Sequence, residues 1–549
     1  MFISLVLKCD PTICPPLSIT ANDSREGIFR QNLPSGTWRV NQVRNYPSAL
    51  RQNCQVLHLH RPQSIRHLAA ITIVLGLAVS ACANRDSANE PSTSEVPDSA
   101  VTTPSSSVTT EPASGITFGD LNSPCGPAPE GVESSVDPSE AKGSANVIRV
   151  ATPTDKGASM AAGLNAELYD AGVAFAKWCN EQGGIAGLPL EVLDADAKLF
   201  EVPAQMENIC SNAFAMVGGG FAFDDQEFPR FHECGMIDIA GFVVTTAKSQ
   251  SDNMISPVPN PSNAKDAGWF RWAVNTAPED MKAYATVYAD LLTSQIVEQQ
   301  YIEAAQLIGG VTVVDRIPFN PTGETSWSPI VLRLKSSGVK AMSFVGVPEV
   351  LAQLMKAMDE VGYRPNLIMN DAGFYADILL SRAGTSANGV IVRTAFSLFE
   401  EADRVPAVRD YLDMMATHNP SGKVAGLGMQ STSAFLLFAQ AARDCIVANS
   451  GVLTRSCVMA EAAQVTNWTG GGLHAPTDPG ANLPSPCYQM IQVVDGAFSR
   501  LFPPLDPTEA ERALVPTADI TDAGWACDPS TVVQLVGDYG DASIGKLPS

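Results

Sequence analysis

Three consecutive glycines, Gly218-Gly219-Gly220, close the apolar stretch Phe214-Ala215-Met216-Val217. Glycine lets a ligand come close to the backbone and leaves N–H groups open to an anion such as a carboxylate, although a tight turn uses the same residues. At the ends of other apolar stretches stand groups able to hold a small molecule by charge and hydrogen bonds. These are Asp155 in Thr154-Asp155-Lys156-Gly157, Phe221 and Asp224 beyond the glycines, Thr245 and Thr246, then Tyr288, Asp290, Glu349 and Asp371. Phe221, Phe223, Trp327 and Tyr375 offer rings for an apolar wall, or equally for a core. Reactive chemistry is poorly served. There is no G-x-S-x-G elbow, no G-x-x-x-x-G-K-[ST] loop and no H-E-x-x-H, and the glycine run lacks the G-x-G-x-x-G pattern of a dinucleotide site. Only His232, His418 and His474 follow Cys82, and no cysteine or histidine cluster has zinc spacing. Binding without catalysis, metal or cofactor is the expectation.

Those groups need a frame, and the hydrophobic pattern supplies one. Val147–Val150 reads as a strand, and Leu168, Ala171, Phe175 and Trp178 recur at helical spacing up to Gly183-Gly184. Leu190–Leu193, a helix through Met206, Ile209 and Cys210, Phe214–Val217, a helix from Phe228 to Cys234, and Met236–Ile239 continue the alternation. A second series follows Pro259-Asn260-Pro261: a helix Lys265–Val274, Tyr284–Tyr288, a helix Ser294–Ile308, Val311–Val314, Ile330–Leu334, Ala341–Val345, a helix Val350–Val361, Leu367–Met369 and Val390–Val392. Strand and helix alternating in this way argue for parallel, doubly wound sheets, so the expected class is α/β with two Rossmann-like lobes. In such sheets ligands sit outside the carboxyl ends of the strands, where the polar groups named above fall.

Charge and the front of the chain bear on compartment. Of 549 residues, 58 are acidic and 35 basic, a net charge of −23, which disfavours nucleic acid as a partner. From Cys82 onward the balance is 27 basic against 55 acidic. Leu68–Val79 is an apolar run too short for a membrane span; Arg61 and Arg66 precede it and Val79-Ser80-Ala81-Cys82 follows. That order reads as an export signal over residues 61–82 and resembles a bacterial lipobox, with Cys82 as the lipidated residue and the membrane reached through that anchor. Residues 1–60 show no periodicity and stand upstream of a complete signal, so they are expected to be a non-native or disordered extension outside any folded domain. Residues 83–144 read as a tether; from Ala83 to Ser114, 17 of 32 residues are Ser, Thr or Pro. The eight cysteines beyond Cys82, an even number behind an export signal, read as disulfides.

Asn180-Glu181-Gln182-Gly183-Gly184-Ile185-Ala186-Gly187, followed by a strand carrying Asp194 and Asp196, resembles the first helix-to-strand junction of type I periplasmic binding proteins, the branched-chain amino acid receptors of ABC importers. Trp327-Ser328-Pro329-Ile330 with Leu334–Val339, Glu349–Pro365, and Ala383-Gly384 to Gly389-Val390 follow in the family's order. The resemblance spans about residues 145–505. It implies the type I periplasmic binding protein fold, two lobes joined by a three-crossover hinge: residues 145–262 with 396–484 as lobe one, 263–395 with 485–505 as lobe two, and 506–549 as a disulfide-tied tail. It further implies a monomeric extracytoplasmic receptor that closes over a small amino-acid-like or related organic ligand and hands it to an ABC permease; a sensory receptor of the same fold is the alternative. Amino-acid binders of the family place an acid near Asp371 for the ammonium group. Their Ser and Thr contacts are replaced here by Phe221-Ala222-Phe223-Asp224, a departure that points away from an ordinary α-amino acid.

Topology also constrains the cysteines. With right-handed crossovers and strand order 2-1-3-4, the first helix of lobe one lies on one face and the second and third on the other. Cys210 is then expected to pair with Cys234, and Cys179 with Cys125. Cys445 and Cys457 flank one loop between helical stretches, and Cys487 with Cys527 would tie the tail to the strand Tyr488–Val494.

Overall fold

The computed structural model describes residues 115–547 apart from 160, 161, 229 and 322; the export signal, Cys82 and most of the tether lie outside the described residues. Lobe one is built on a five-stranded parallel sheet ordered Leu190–Asp196, Ile148–Thr154, Ala215–Val217, Asp238–Ile239, Met254–Ile255. Ile148 and Val150 belong with Phe175, Cys179 and Phe435 to the core under the helices Ala166–Glu181 and Gly426–Ala448, whereas Ala151 belongs with Met206, Phe221 and Phe231 to the core on the other face. This is the pleat at work, since neighbouring residues of a strand point to opposite sides of the sheet.

Lobe two repeats the plan. Its parallel strands are ordered Val313–Phe319, Tyr284–Ala289, Ala341–Val345, Leu367–Asn370, Val390–Thr394, and the antiparallel strand Cys487–Val494 extends the sheet. Helices Ser328–Ser336 and Pro348–Val361 cover one face; Gly268–Thr276 and Leu292–Ile308 cover the other. Three local expectations are corrected. Lys265 is the middle residue of a short strand, Ala264–Asp266, and the helix begins at Gly268. The second strand of the lobe runs over Val313–Phe319 instead of ending at Val314, and Ile330–Leu334 lies inside a helix whose first turn carries Pro329.

The tether is also shorter than expected. Residues 115–144 lie on lobe one: Phe118 is fully buried edge-on to Trp178, with ring centroids 5.7 Å apart, and Ser135–Val136 pairs with Val452–Leu453. One buried aromatic and short pairings to distant strands order a segment whose composition looks like spacer. Disulfides join Cys125 to Cys179, Cys210 to Cys234, Cys445 to Cys457, and Cys487 to Cys527, the pairs inferred from helix faces and loops.

The chain leaves lobe one at the carboxyl end of Met254–Ile255 and leaves lobe two at the carboxyl end of Val390–Thr394, so each sheet turns its carboxyl edge toward the junction. The connections are bonded to one another there. Phe396 bridges His474, Ala475 N–H donates to the Ala395 carbonyl at 2.8 Å, and the Thr477 hydroxyl donates to the Pro257 carbonyl at 2.6 Å. His474 is buried against the Ser433 hydroxyl at 2.8 Å, and burial lowers its pKa to about 4.

Candidate functional site

On the carboxyl edge of lobe one, most of the polar groups foreseen from the sequence hold the loops to each other. The Asp155 carboxylate is buried and accepts N–H bonds from Leu199 and Ala222, both at 2.7 Å, tying together the loops that follow three strands. Burial raises its pKa against those bonds. Asp224, also fully buried, accepts from Val244 N–H at 2.7 Å and from Thr245 N–H and Oγ1 at 3.1 and 2.5 Å; desolvation lifts it to about 6. Thr245 Oγ1 in turn accepts from Lys248 N–H, capping the short helix Thr246–Ser249. Thr246 faces the other way, its hydroxyl donating to the Tyr539 carbonyl.

The glycine run is a close-packing device. A Cβ on Gly219 would lie 2.3 Å from Pro153 N, and one on Gly220 would lie 2.2 Å from the Phe242 carbonyl oxygen. The N–H groups of Gly218 and Gly220 are taken by the Ile239 and Pro153 carbonyls. Phe221 is fully buried in the core with Met206 and Phe231. Trp327 and Tyr375 are buried as well.

On the carboxyl edge of lobe two, Tyr288 is half-buried, while Asp290 is exposed and accepts from Gln295 Nε2 at 2.7 Å. Glu349 is exposed in the first turn of the helix Pro348–Val361. Asp371 is half-buried and accepts from the Tyr301 hydroxyl and from Gly373 N–H at 3.0 Å. Lys265 lies near it. Desolvation and the Arg393 guanidinium lower the Lys265 pKa to about 7, with Asp371 opposing. The carboxylate expected from the sequence to meet a ligand ammonium therefore already accepts from a phenol and a backbone N–H, with Lys265 nearby.

Beside the exposed Asp290 and Glu349, the two edges also leave large apolar side chains exposed. Phe200 is 66% exposed beyond the strand Leu190–Asp196 and stacks on Phe223 at 5.8 Å between ring centroids. In lobe two, Leu292 is 73% exposed beyond Tyr284–Ala289, with Leu291 beside it and exposed Val347 beyond Ala341–Val345. Phe200 and Leu292 escaped the sequence reading. The signal for Phe200 was available: an aromatic in a polar strand-end loop, four residues after Asp196, at a position where polar residues would suffice. Among the described residues no group of His, Cys, Asp and Glu could hold a metal ion, and no helix is long and apolar enough to cross a membrane.

Comparisons with known proteins agree with this architecture. A search of curated proteins finds no match. Among solved structures, the fatty acid ABC transporter substrate-binding protein of Thermomonospora curvata superposes with a TM-score of 0.57 at 16% identity, covering 72% of this chain and 100% of its own. The branched-chain amino acid transporter substrate-binding protein of Streptococcus pneumoniae, solved with isoleucine, gives 0.53 at 17% identity over 65% of this chain and 99% of its own. The leucine-binding protein of Thermotoga maritima gives 0.52 at 16% identity over 65% of this chain and 98% of its own. At these identities the likeness is one of fold. A family profile described as periplasmic binding protein matches residues 147–497. The chain belongs to the periplasmic binding proteins, a family of extracytoplasmic substrate-binding receptors that are not enzymes, and its fold is that of the type I members.

Proposed function

We propose that this protein is the receptor of an ABC importer, that it closes its lobes over a small organic ligand with an apolar body, and that it delivers the ligand to a membrane permease. It does so as a monomer, exported through the signal at residues 61–82 and anchored through Cys82. The carrying observation is that each lobe leaves a large apolar side chain exposed beyond a strand's carboxyl end, Phe200 in lobe one and Leu292 in lobe two. Contiguous exposed apolar surface marks a binding site in a soluble protein, and pockets for organic ligands are mostly apolar with a few orienting polar groups. The orienting groups are the strand-end residues least committed elsewhere, Tyr288, Asp290 and Glu349, with the loops of Asp155, Gly219, Gly220, Asp224, Thr245 and Thr246 as the opposing wall. Asp371 is already hydrogen-bonded, which fits a ligand without a free ammonium group. The fold-level neighbours bracket the choice, one named for fatty acids and one solved with isoleucine.

The test is a thermal-shift screen of the chain from Ala83 onward. Aliphatic and aromatic carboxylic acids are expected to raise the melting temperature, and leucine, isoleucine and valine to leave it unchanged. Stabilisation by the amino acids alone would overturn the ligand class, and stabilisation by neither set would count against the receptor reading itself.

A further inference from the structure

The carboxyl-terminal segment contacts first lobe two and then lobe one. In lobe two, Ala526–Cys527 pairs with Cys487–Tyr488, where the Cys487–Cys527 disulfide holds it. Thr531 Oγ1 donates to Asp266 at 3.2 Å. Val532–Gln534 then adds an antiparallel strand to Ala264–Asp266, the first segment of lobe two after the hinge connection, and Leu535 N–H donates to the Asn263 carbonyl at 2.8 Å.

Beyond the hinge, Glu303 on the helix Leu292–Ile308 of lobe two accepts from Val536 N–H at 2.7 Å, from Gly537 N–H at 3.1 Å and from the Tyr539 hydroxyl. The carbonyl of the same Tyr539 accepts from the Thr246 hydroxyl of lobe one at 2.5 Å. The end of the segment lies on lobe one. Gly545 presses so closely on the helix Thr246–Ser249 that a Cβ would stand 1.9 Å from the Ala247 carbonyl oxygen. The Gly545 carbonyl accepts from Asp252 N–H at 2.9 Å, and the Asp252 carboxylate takes Leu547 N–H at 2.9 Å and Lys546 Nζ at 3.2 Å.

We propose that Val532–Leu547 is a strap fastened to both lobes, with Tyr539 as its rivet, and that it sets the balance between open and closed forms of the receptor. Tyr539 is 6% exposed and bonds lobe two through its hydroxyl and lobe one through its carbonyl, so a rotation of one lobe against the other must break one of the two. These contacts coexist with exposed Phe200, Leu292 and Val347 at the strand ends of both lobes, and contacts made in one arrangement stabilise that arrangement. The strap therefore favours the open form and lowers apparent ligand affinity by the fraction of molecules it withholds from closure. It is well placed for this. Glu303 lies two residues from Tyr301, which holds Asp371, and Thr246 is next to Thr245, which holds Asp224. The effect on affinity rests on the closing-receptor reading above.

Energy transfer between dyes on the ligand-free chain tests the strap apart from that reading, with azide-bearing residues at exposed Lys198 in lobe one and Lys335 in lobe two. The intact chain is expected to give one narrow distance distribution. A chain ending at Thr531, and Gly545→Val, are expected to broaden it and shift it to shorter distances. Tyr539→Phe, which removes a single oxygen and leaves packing intact, is expected to do the same in part. Superimposable distributions for the intact chain and Tyr539→Phe, Gly545→Val and the shortened chain would overturn the proposal. Because no ligand is present, failure of any compound to compact the protein would count against the receptor reading and leave the strap standing.

Discussion

Lys248 is fully buried in lobe one with Nζ 2.5 Å from Glu227 Oε1 and 2.7 Å from Asp238 Oδ2, and the Asp224 carboxyl is close enough to feel its charge. Burial pushes Glu227 up to about 8, against the pull of Lys248. Burial also opposes the ammonium, but Asp238 and Glu227 hold Lys248 above its ordinary value. Removing the single cation would strand buried acids, so Lys248→Met is expected to cost roughly 3–5 kcal/mol in urea unfolding at pH 7. Glu227 has a folded pKa above its unfolded one. Its stabilising contribution is thus present below about pH 4.5 and lost as pH rises through 8, since the unfolded chain releases the proton first. Glu227→Gln should flatten the fall in melting temperature between pH 5 and pH 9; an unchanged slope would show that another group carries it. None of this was legible from residue types. Asp155 and Asp224 were recognised as special, and both do stand at strand ends, but whether a carboxylate faces a ligand or a ring of backbone N–H groups depends on loop conformations that sequence patterning leaves open.

At the scale of elements, the alternation of strand and helix was legible because buried parallel strands are nearly continuous apolar runs and their helices carry one apolar stripe. Phe214–Val217 and Ala341–Val345 show the first, and Leu168, Ala171 and Phe175 show the second. Right-handed crossovers taken together with strand order 2-1-3-4 led to the Cys210–Cys234 and Cys125–Cys179 bridges. The expectation failed where stability comes from distant partners. Ser135–Val136 is a strand because Val452–Leu453 lies beside it, and Val532–Gln534 because Ala264–Asp266 does. Two or three residues have no period to read. The same reason hid the strand at Lys265, which looked like the first turn of the helix after it.

For the whole molecule, the question is whether apolar surface at the two edges can drive closure. Fully burying an exposed Phe or Leu side chain stabilises by roughly 1.5–3 kcal/mol; Phe200 and Leu292 are 66% and 73% exposed, so sheltering what remains of both supplies about 2–4 kcal/mol. Moving a two-state balance from 1:99 to 99:1 needs about 5.5 kcal/mol of differential binding, so these two side chains account for much of the shift and the ligand's contacts for the remainder. Closure driven in this way has an expected signature. Binding of the best compound from the screen should carry a negative heat-capacity change and reduce the radius of gyration in small-angle scattering. In the double variant Phe200→Ser, Leu292→Ser, both residues are already largely exposed, so the fold should keep its stability within about 1 kcal/mol while binding and compaction are lost. Compaction that survives in this variant would mean that closure is driven by the polar groups of the edges, and the apolar reading of the cleft would fall.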